Sequence, residues 1–208
     1  MNKFLFIDQA TTGKNPDRCA IYRIGGIYAE DGVEKKRFEF RMRPFLNARI
    51  SEESLWICGE SRSSLLIYRD ERDVFKEFVG LLDTLVNVRS PQDKLYIAGY
   101  SPASYEVPFL TEWFRRNGNE HFRHYFHYQS IDVMCLAAVL LMNRRHLMPD
   151  FTLESAARHL GIMIPHTDSY NCIINAKASL DIYREFERRA GLGDCRDTAP
   201  ASETVKNF

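Results

Sequence analysis

The first residue of the chain placed for chemistry is an aspartate. Phe4-Leu5-Phe6-Ile7 form an apolar run that ends in Asp8, and Gln9, Ala10 and the turn-forming Thr11-Thr12-Gly13 follow. Residues two apart on a strand point to the same face, so two acids at that spacing could grip one ion pair. Here the second position is Ala10, and Asp8 stands alone. An aspartate at a strand end also caps turns, here through the backbone of Thr11 or Thr12. Two further segments have chemical potential. Ile97-Ala98-Gly99-Tyr100-Ser101 leads to Tyr105-Glu106-Val107-Pro108-Phe109-Leu110, which supplies the second candidate acid. Tyr170 precedes Asn175-Ala176-Lys177-Ala178-Ser179-Leu180-Asp181, where an amide opens an alanine-spaced stretch.

In this order, the three segments resemble the motifs of the DEDD family of 3′–5′ exonucleases. That family lies in the RNase H-like superfamily and includes the proofreading (epsilon) subunit of bacterial DNA polymerase III. The resemblance runs over roughly residues 3 to 187, and segments outside the motifs support it. These are Ile50-Ser51-Glu52-Glu53-Ser54-Leu55 before Gly59, Ser130-Ile131-Asp132-Val133, and Leu153-Glu154 through Leu160-Gly161-Ile162. It implies an α/β, RNase H-like exonuclease fold with a mixed central sheet flanked by helices. It also implies a site in which four carboxylates hold two Mg²⁺ or Mn²⁺ ions while a base takes the proton of the attacking water.

Carried over position by position, the resemblance gives Asp8, Glu106, Tyr170 and Asn175 as the catalytic positions and Asp8 and Glu106 as the metal ligands. Thr11, Thr12 and Tyr105 become the nucleic-acid contacts. Every motif departs from the family pattern. Ala10 stands where the second acid belongs, Glu106 is one methylene longer than the family's aspartate, and Ser101 replaces an asparagine. Asn175 replaces the last aspartate, and Tyr170, five residues before it, replaces the histidine base. A second register pairs His166 with Asn171 and still leaves an amide at the acid position. With half the compensating charge gone, two adjacent dications become unfavourable, so at most one weakly held Mg²⁺ or Mn²⁺, or no ion, is expected. Three such changes together cost on the order of 10³-fold in activity. The expected function is therefore a degenerate exonuclease-like domain, weakly active or inactive, that keeps a nucleic-acid or protein binding role. The alternative is an active metal-dependent exonuclease on DNA or RNA with a rearranged site, for which Asp168 and His166 are the nearby replacement ligands. Expected partners are single-stranded nucleic acid or its 3′ end, or a protein.

Apolar and turn patterns place these residues on elements. Strands are expected over Lys3 to Asp8, Cys19 to Tyr28 and Arg37 to Phe45, the last two joined at Asp31-Gly32, with another at Leu95 to Ala98. Helices are expected over Asp73 to Val88, Val107 to Arg116, Ile131 to Asn143, Thr152 to His159 and about Asn171 to Arg189. One domain over residues 1–190 and a flexible tail over 191–208 fit this division.

Composition narrows the setting. A chain of 208 residues that is 45% hydrophobic suits one α/β domain, and 28 basic against 28 acidic residues lacks the footprint of a protein that coats long nucleic acid. Five scattered cysteines without a paired spacing suggest reduced thiols, and no run reaches membrane-spanning length, so a cytoplasmic protein is expected. The segment His121 to Tyr128 interleaves histidines and an arginine with aromatics, but it and Trp56 and Trp113 are read as packing. Arg115-Arg116 and Arg144-Arg145 are read as solvated helix ends.

Overall fold

A computed structural model describes residues 1–165 and 170–192. Five strands form one mixed sheet: β1 Lys3–Thr11, β2 Ile21–Glu30, β3 Val33–Arg41, β4 Leu95–Gly99 and β5 Ile131–Asp132, in the order β3-β2-β1-β4-β5. The β1–β2 and β2–β3 pairs are antiparallel, whereas β4 lies parallel to β1 and β5 parallel to β4. Asp31 and Gly32 both take positive φ, 46° and 74°, the mirror-image turn whose twist suits a two-residue hairpin. That turn starts β3 at Val33, earlier than the expected Arg37, and leaves Phe45 beyond it.

The helices are α1 Glu52–Ile57, α2 Arg62–Leu66, α3 Glu71–Leu85, α4 Glu106–Arg116, α5 Phe122–Tyr125, α6 Val133–Leu141, α7 Leu153–His159 and α8 Cys172–Arg189. A 3₁₀ stretch, Met142–Leu147, follows α6. The strand alternation of β1 divides the interior. Leu5 and Ile7 pack with Phe75, Phe78, Phe109 and Trp113 of α3 and α4, and Phe4 and Phe6 pack on the other face with Val133, Ala137, Ala176 and Leu180 of α6 and α8. Asp8 and Ala10 continue the even-numbered series and so lie on the α8 face.

Two expectations need correction. The helix foreseen over Ile131 to Asn143 begins as the strand β5, because Asp132 caps α6 by accepting from the backbone N–H groups of Met134 and Cys135. Trp113 is core at 1% exposure, but Trp56 is 81% exposed, since Leu55 alone carries the buried side of the short α1. Within His121 to Tyr128, Phe122, Tyr125 and Phe126 are core, His127 stacks on Tyr96 at 4.1 Å, and His121 stacks on His124. Cys19, Cys58, Cys135 and Cys172 are free thiols, while Cys195 and residues 193–208 of the expected tail lie outside the described residues. Among the described residues no helix is long and apolar enough to cross a membrane.

Candidate active site

The expected site residues come together at the end of β1. Asp8 projects toward α8, whose first turns bring Cys172 and Asn175 to it, while α4 delivers Glu106 from its first residue. Tyr170 Oη donates to Asp8 Oδ1 at 2.8 Å, and Asn175 Nδ2 donates to Asp8 Oδ2 at 3.3 Å. The Cys172 thiol and the backbone of Gln9 also bond this carboxylate. Burial raises the Asp8 pKa to about 6, against these hydrogen bonds, which pull it down. Both oxygens of Asp8 are thus occupied by neutral donors of the chain itself.

Glu106 is 5% exposed, and its Oε2 is buried without a hydrogen-bond partner among the described residues. Burial, then repulsion from Asp8 and more weakly from Asp132, pushes its pKa to about 8, so the carboxyl keeps its proton at neutral pH. Tyr170 is held in its neutral form first by burial and then by the Asp8 charge, and its hydroxyl acts toward Asp8 as a donor. A general base must accept a proton, and Tyr170 in this setting does the reverse.

The register at α8 follows from the same geometry. Asn175 stands beside Asp8, whereas Asn171 spends its side chain as the helix cap, accepting from Ile173 and Ile174 N–H at 3.0 and 3.1 Å. His166 and Asp168 lie outside the described residues.

The three expected nucleic-acid contacts differ in availability. Thr12 is fully buried. Its hydroxyl donates to Arg49 O and accepts from Ala20 N–H, its N–H donates to Ala20 O, and its carbonyl accepts from Ser51 N–H. These four bonds lock the turn that follows β1. Thr11, also buried, shares a 2.5 Å hydrogen bond with the Tyr105 hydroxyl and donates to Gly13 O. Tyr105 is partly exposed at the start of α4, its ring against Phe109 at 5.1 Å.

The place of the missing second acid is filled. Ala10 packs with Tyr22, Leu55, Cys58, Leu65 and Cys172, and Tyr170 and Tyr68 lie against this cluster. Beside it Arg23, opposite Ala10 in the β1–β2 register, pairs with Glu60 and donates from Nη1 to Tyr170 O at 2.6 Å. Arg23, Glu60 and Cys172 were missed by sequence reasoning. Arg23 could have been found by aligning the hairpin strands against Ala10, but Glu60 follows a loop and carried no signal. Among the described residues no group of three or more His, Cys, Asp or Glu side chains could hold a metal ion. Two carboxyls, one retaining its proton and one saturated with donors, do not fit a two-ion centre.

No family model matches the chain. Its sequence is 27% identical over 160 residues to the PolC-type DNA polymerase III of Thermotoga petrophila, an alignment covering 76% of this chain and 10% of that protein. The fold is similar to the zinc-bound form of E. coli exonuclease I complexed with single-stranded DNA, with a TM-score of 0.72 and 18% identity over 92% of this chain and 41% of that one. It is equally similar, at a TM-score of 0.72 and 14% identity, to a moderately thermophilic exonuclease I from Methylocaldum szegediense, again covering 92% and 41%. The chain spans less than half of these structures and about a tenth of the polymerase. It has the exonuclease I fold, the RNase H-like α/β arrangement that the motif resemblance implied.

Proposed function

We propose that residues 1–190 form a degenerate 3′–5′ exonuclease-like domain that binds single-stranded nucleic acid at a 3′ end and cleaves it weakly or not at all. The observation that carries this reading is the saturation of Asp8 by Tyr170 and Asn175, with Ala10 in place of a second acid. An ion approaching Asp8 has to displace two internal hydrogen bonds and then finds, among the described residues, only Glu106, which must first lose a proton. Support for the nucleic-acid role comes from exonuclease I, which shares the fold and is complexed with single-stranded DNA. The partly exposed Tyr105 offers an aromatic surface for a base.

The second reading, a working metal-dependent exonuclease with a rearranged site, draws on the unpartnered Glu106 Oε2 and on the repulsion between the Glu106 and Asp8 carboxyls. An ion shared by Asp8 and Glu106 would satisfy that atom and lower both carboxyls. The third, a protein-binding role, has the exposed Trp56 and Ile57 of α1, Leu66 of α2 and the adjoining Ile67 in its favour. A cytoplasmic setting with reduced thiols fits all three.

Degradation of a 3′-labelled single-stranded oligonucleotide, DNA and RNA in turn, in Mg²⁺ and in Mn²⁺, separates the first two readings. Loss of label no faster than in Asp8→Ala, together with retained binding by fluorescence anisotropy, is the expected result. Metal-dependent degradation abolished in Asp8→Ala would establish the working enzyme, and absence of both cleavage and binding would leave the protein-binding role.

A further inference from the structure

Arg23 lies near the start of β2 on the face that carries the candidate centre. Asp8 is paired with Gly25 and Ala10 with Arg23, and directly opposed residues of an antiparallel pair share a face with Cβ atoms about 4.5–5.5 Å apart. The Arg23 side chain is 6% exposed and fixed at both terminal nitrogens, Nη1 on the Tyr170 carbonyl and Nη2 on Glu60. Glu60 is in turn held by Tyr68 Oη at 2.7 Å and Ser64 Oγ at 2.6 Å. Nε, the guanidinium nitrogen nearest the strand, is buried without a hydrogen-bond partner among the described residues, and the side chain of the opposing residue, Ala10, offers no acceptor. A carboxylate at position 10 would meet this guanidinium before it met a metal ion.

We propose that Arg23 is the resident cation of this centre: anchored by Glu60, its fixed guanidinium captures any carboxylate at position 10 and repels a divalent ion beside Asp8. This rests on the degenerate-centre reading and deepens it, because it names what replaced the metal. Arg23 stands opposite Ala10, two residues along β1 from Asp8, and a fixed guanidinium in a poorly solvated site opposes a dication at position 10 more strongly than it would in water. The same guanidinium holds the Tyr170 backbone, so the residue that excludes the ion also holds the hydroxyl that occupies Asp8.

The consequence is that restoring the family's acids does not restore metal binding while Arg23 remains. Mn²⁺ alone is titrated by calorimetry into the wild type, into Ala10→Glu/Tyr170→His/Asn175→Asp, and into that triple variant carrying Arg23→Gln and Glu60→Gln as well. The second pair is exchanged together so that no buried charge is left unpaired. The triple variant is expected to bind no better than about threefold over wild type, and removal of the Arg23–Glu60 pair to tighten binding by about tenfold or more. Equal Mn²⁺ affinity in the two acid-restored proteins overturns the proposal. Should the combined variants not fold, a double-mutant cycle of Ala10→Glu with the paired exchange Arg23→Gln and Glu60→Gln in urea unfolding reads the same contact. About tenfold coupling in the unfolding constant is expected there, and additivity overturns it. Oligonucleotide degradation by the wild type tests the underlying reading separately, and neither affinity comparison depends on its outcome.

Discussion

Asp8 and Glu106 are the only two acids left at the expected ligand positions, and the fold treats them differently. Asp8 is surrounded by donors, Tyr170, Asn175 and Cys172, that partly offset the cost of its charge. Glu106 has an oxygen with no partner, and its pKa rises to about 8 against an ordinary 4.5. A carboxyl whose folded pKa is raised binds its proton more tightly in the native state. Its contribution to stability is complete below about pH 4.5 and is lost as pH rises to about 8. Asp8 behaves alike over the window from 3.8 to about 6. Glu106→Gln removes the first of these slopes. Urea unfolding from pH 5 to 9 should show the variant gaining on wild type by roughly 2 kcal/mol, one pKa unit being worth about 1.4 kcal/mol and the coupling to Asp8 discounted. Parallel stability curves for the two proteins would mean that Glu106 ionises freely and that the centre is wetter than described.

The elements converge on the centre because Gly25 lets α8 approach β2 closely. A Cβ added at Gly25 would stand 2.8 Å from Cys172 Cβ and 3.1 Å from Ile173 N, both on the first turn of α8. Gly25→Ala therefore has to push that turn away from the sheet, carrying Cys172 and Asn175 off Asp8. The expected cost is about 1–3 kcal/mol, a fall of roughly 5 °C in Tm for a chain of this size. A displacement of the Asp8 titration, followed by NMR of its side chain, should accompany it. A stable variant with an unmoved Asp8 would show that the helix seats itself by other contacts. Much of this scale was legible beforehand. The apolar run into Asp8, the Asp31-Gly32 turn and the Asn175 helix are local patterns, and each lies where its pattern put it. The short strand β5, the exposed Trp56 and the Arg23–Glu60 pair were not, for a common physical reason. Each is decided by what lies distant in sequence: β4 for Ile131, the lack of a covering element among the described residues for Trp56, and a loop residue 37 positions away for Arg23.

At the scale of the whole molecule, the centre sits where strand β1, flanked by β2 and β4, ends between α4 on one face and α8 on the other. An enzyme that relies on two ions at such a junction keeps mutually repelling acids there, and those acids make the apo protein depend on metal for stability. This junction has the opposite construction. Ala10 is packed, Asp8 is hydrogen-bonded by neutral groups, and the guanidinium of Arg23 is already paired with Glu60. Ligand binding stabilises a fold by RT ln(1 + [L]/Kd), about 2.7 kcal/mol when the ligand stands 100-fold above its Kd but only about 0.4 kcal/mol when it equals it. For a chain of this length those figures correspond to shifts of about 5–10 °C and about 1 °C. Thermal unfolding at pH 7.5 in about 10 mM MgCl₂ or MnCl₂ and in EDTA should therefore give midpoints within roughly 1 °C of one another. A rise of several degrees in either metal, lost in Asp8→Ala, would place an ion on Asp8 and reverse the order of the two readings, making Glu106 a ligand and the internal hydrogen bonds a resting arrangement that the ion displaces.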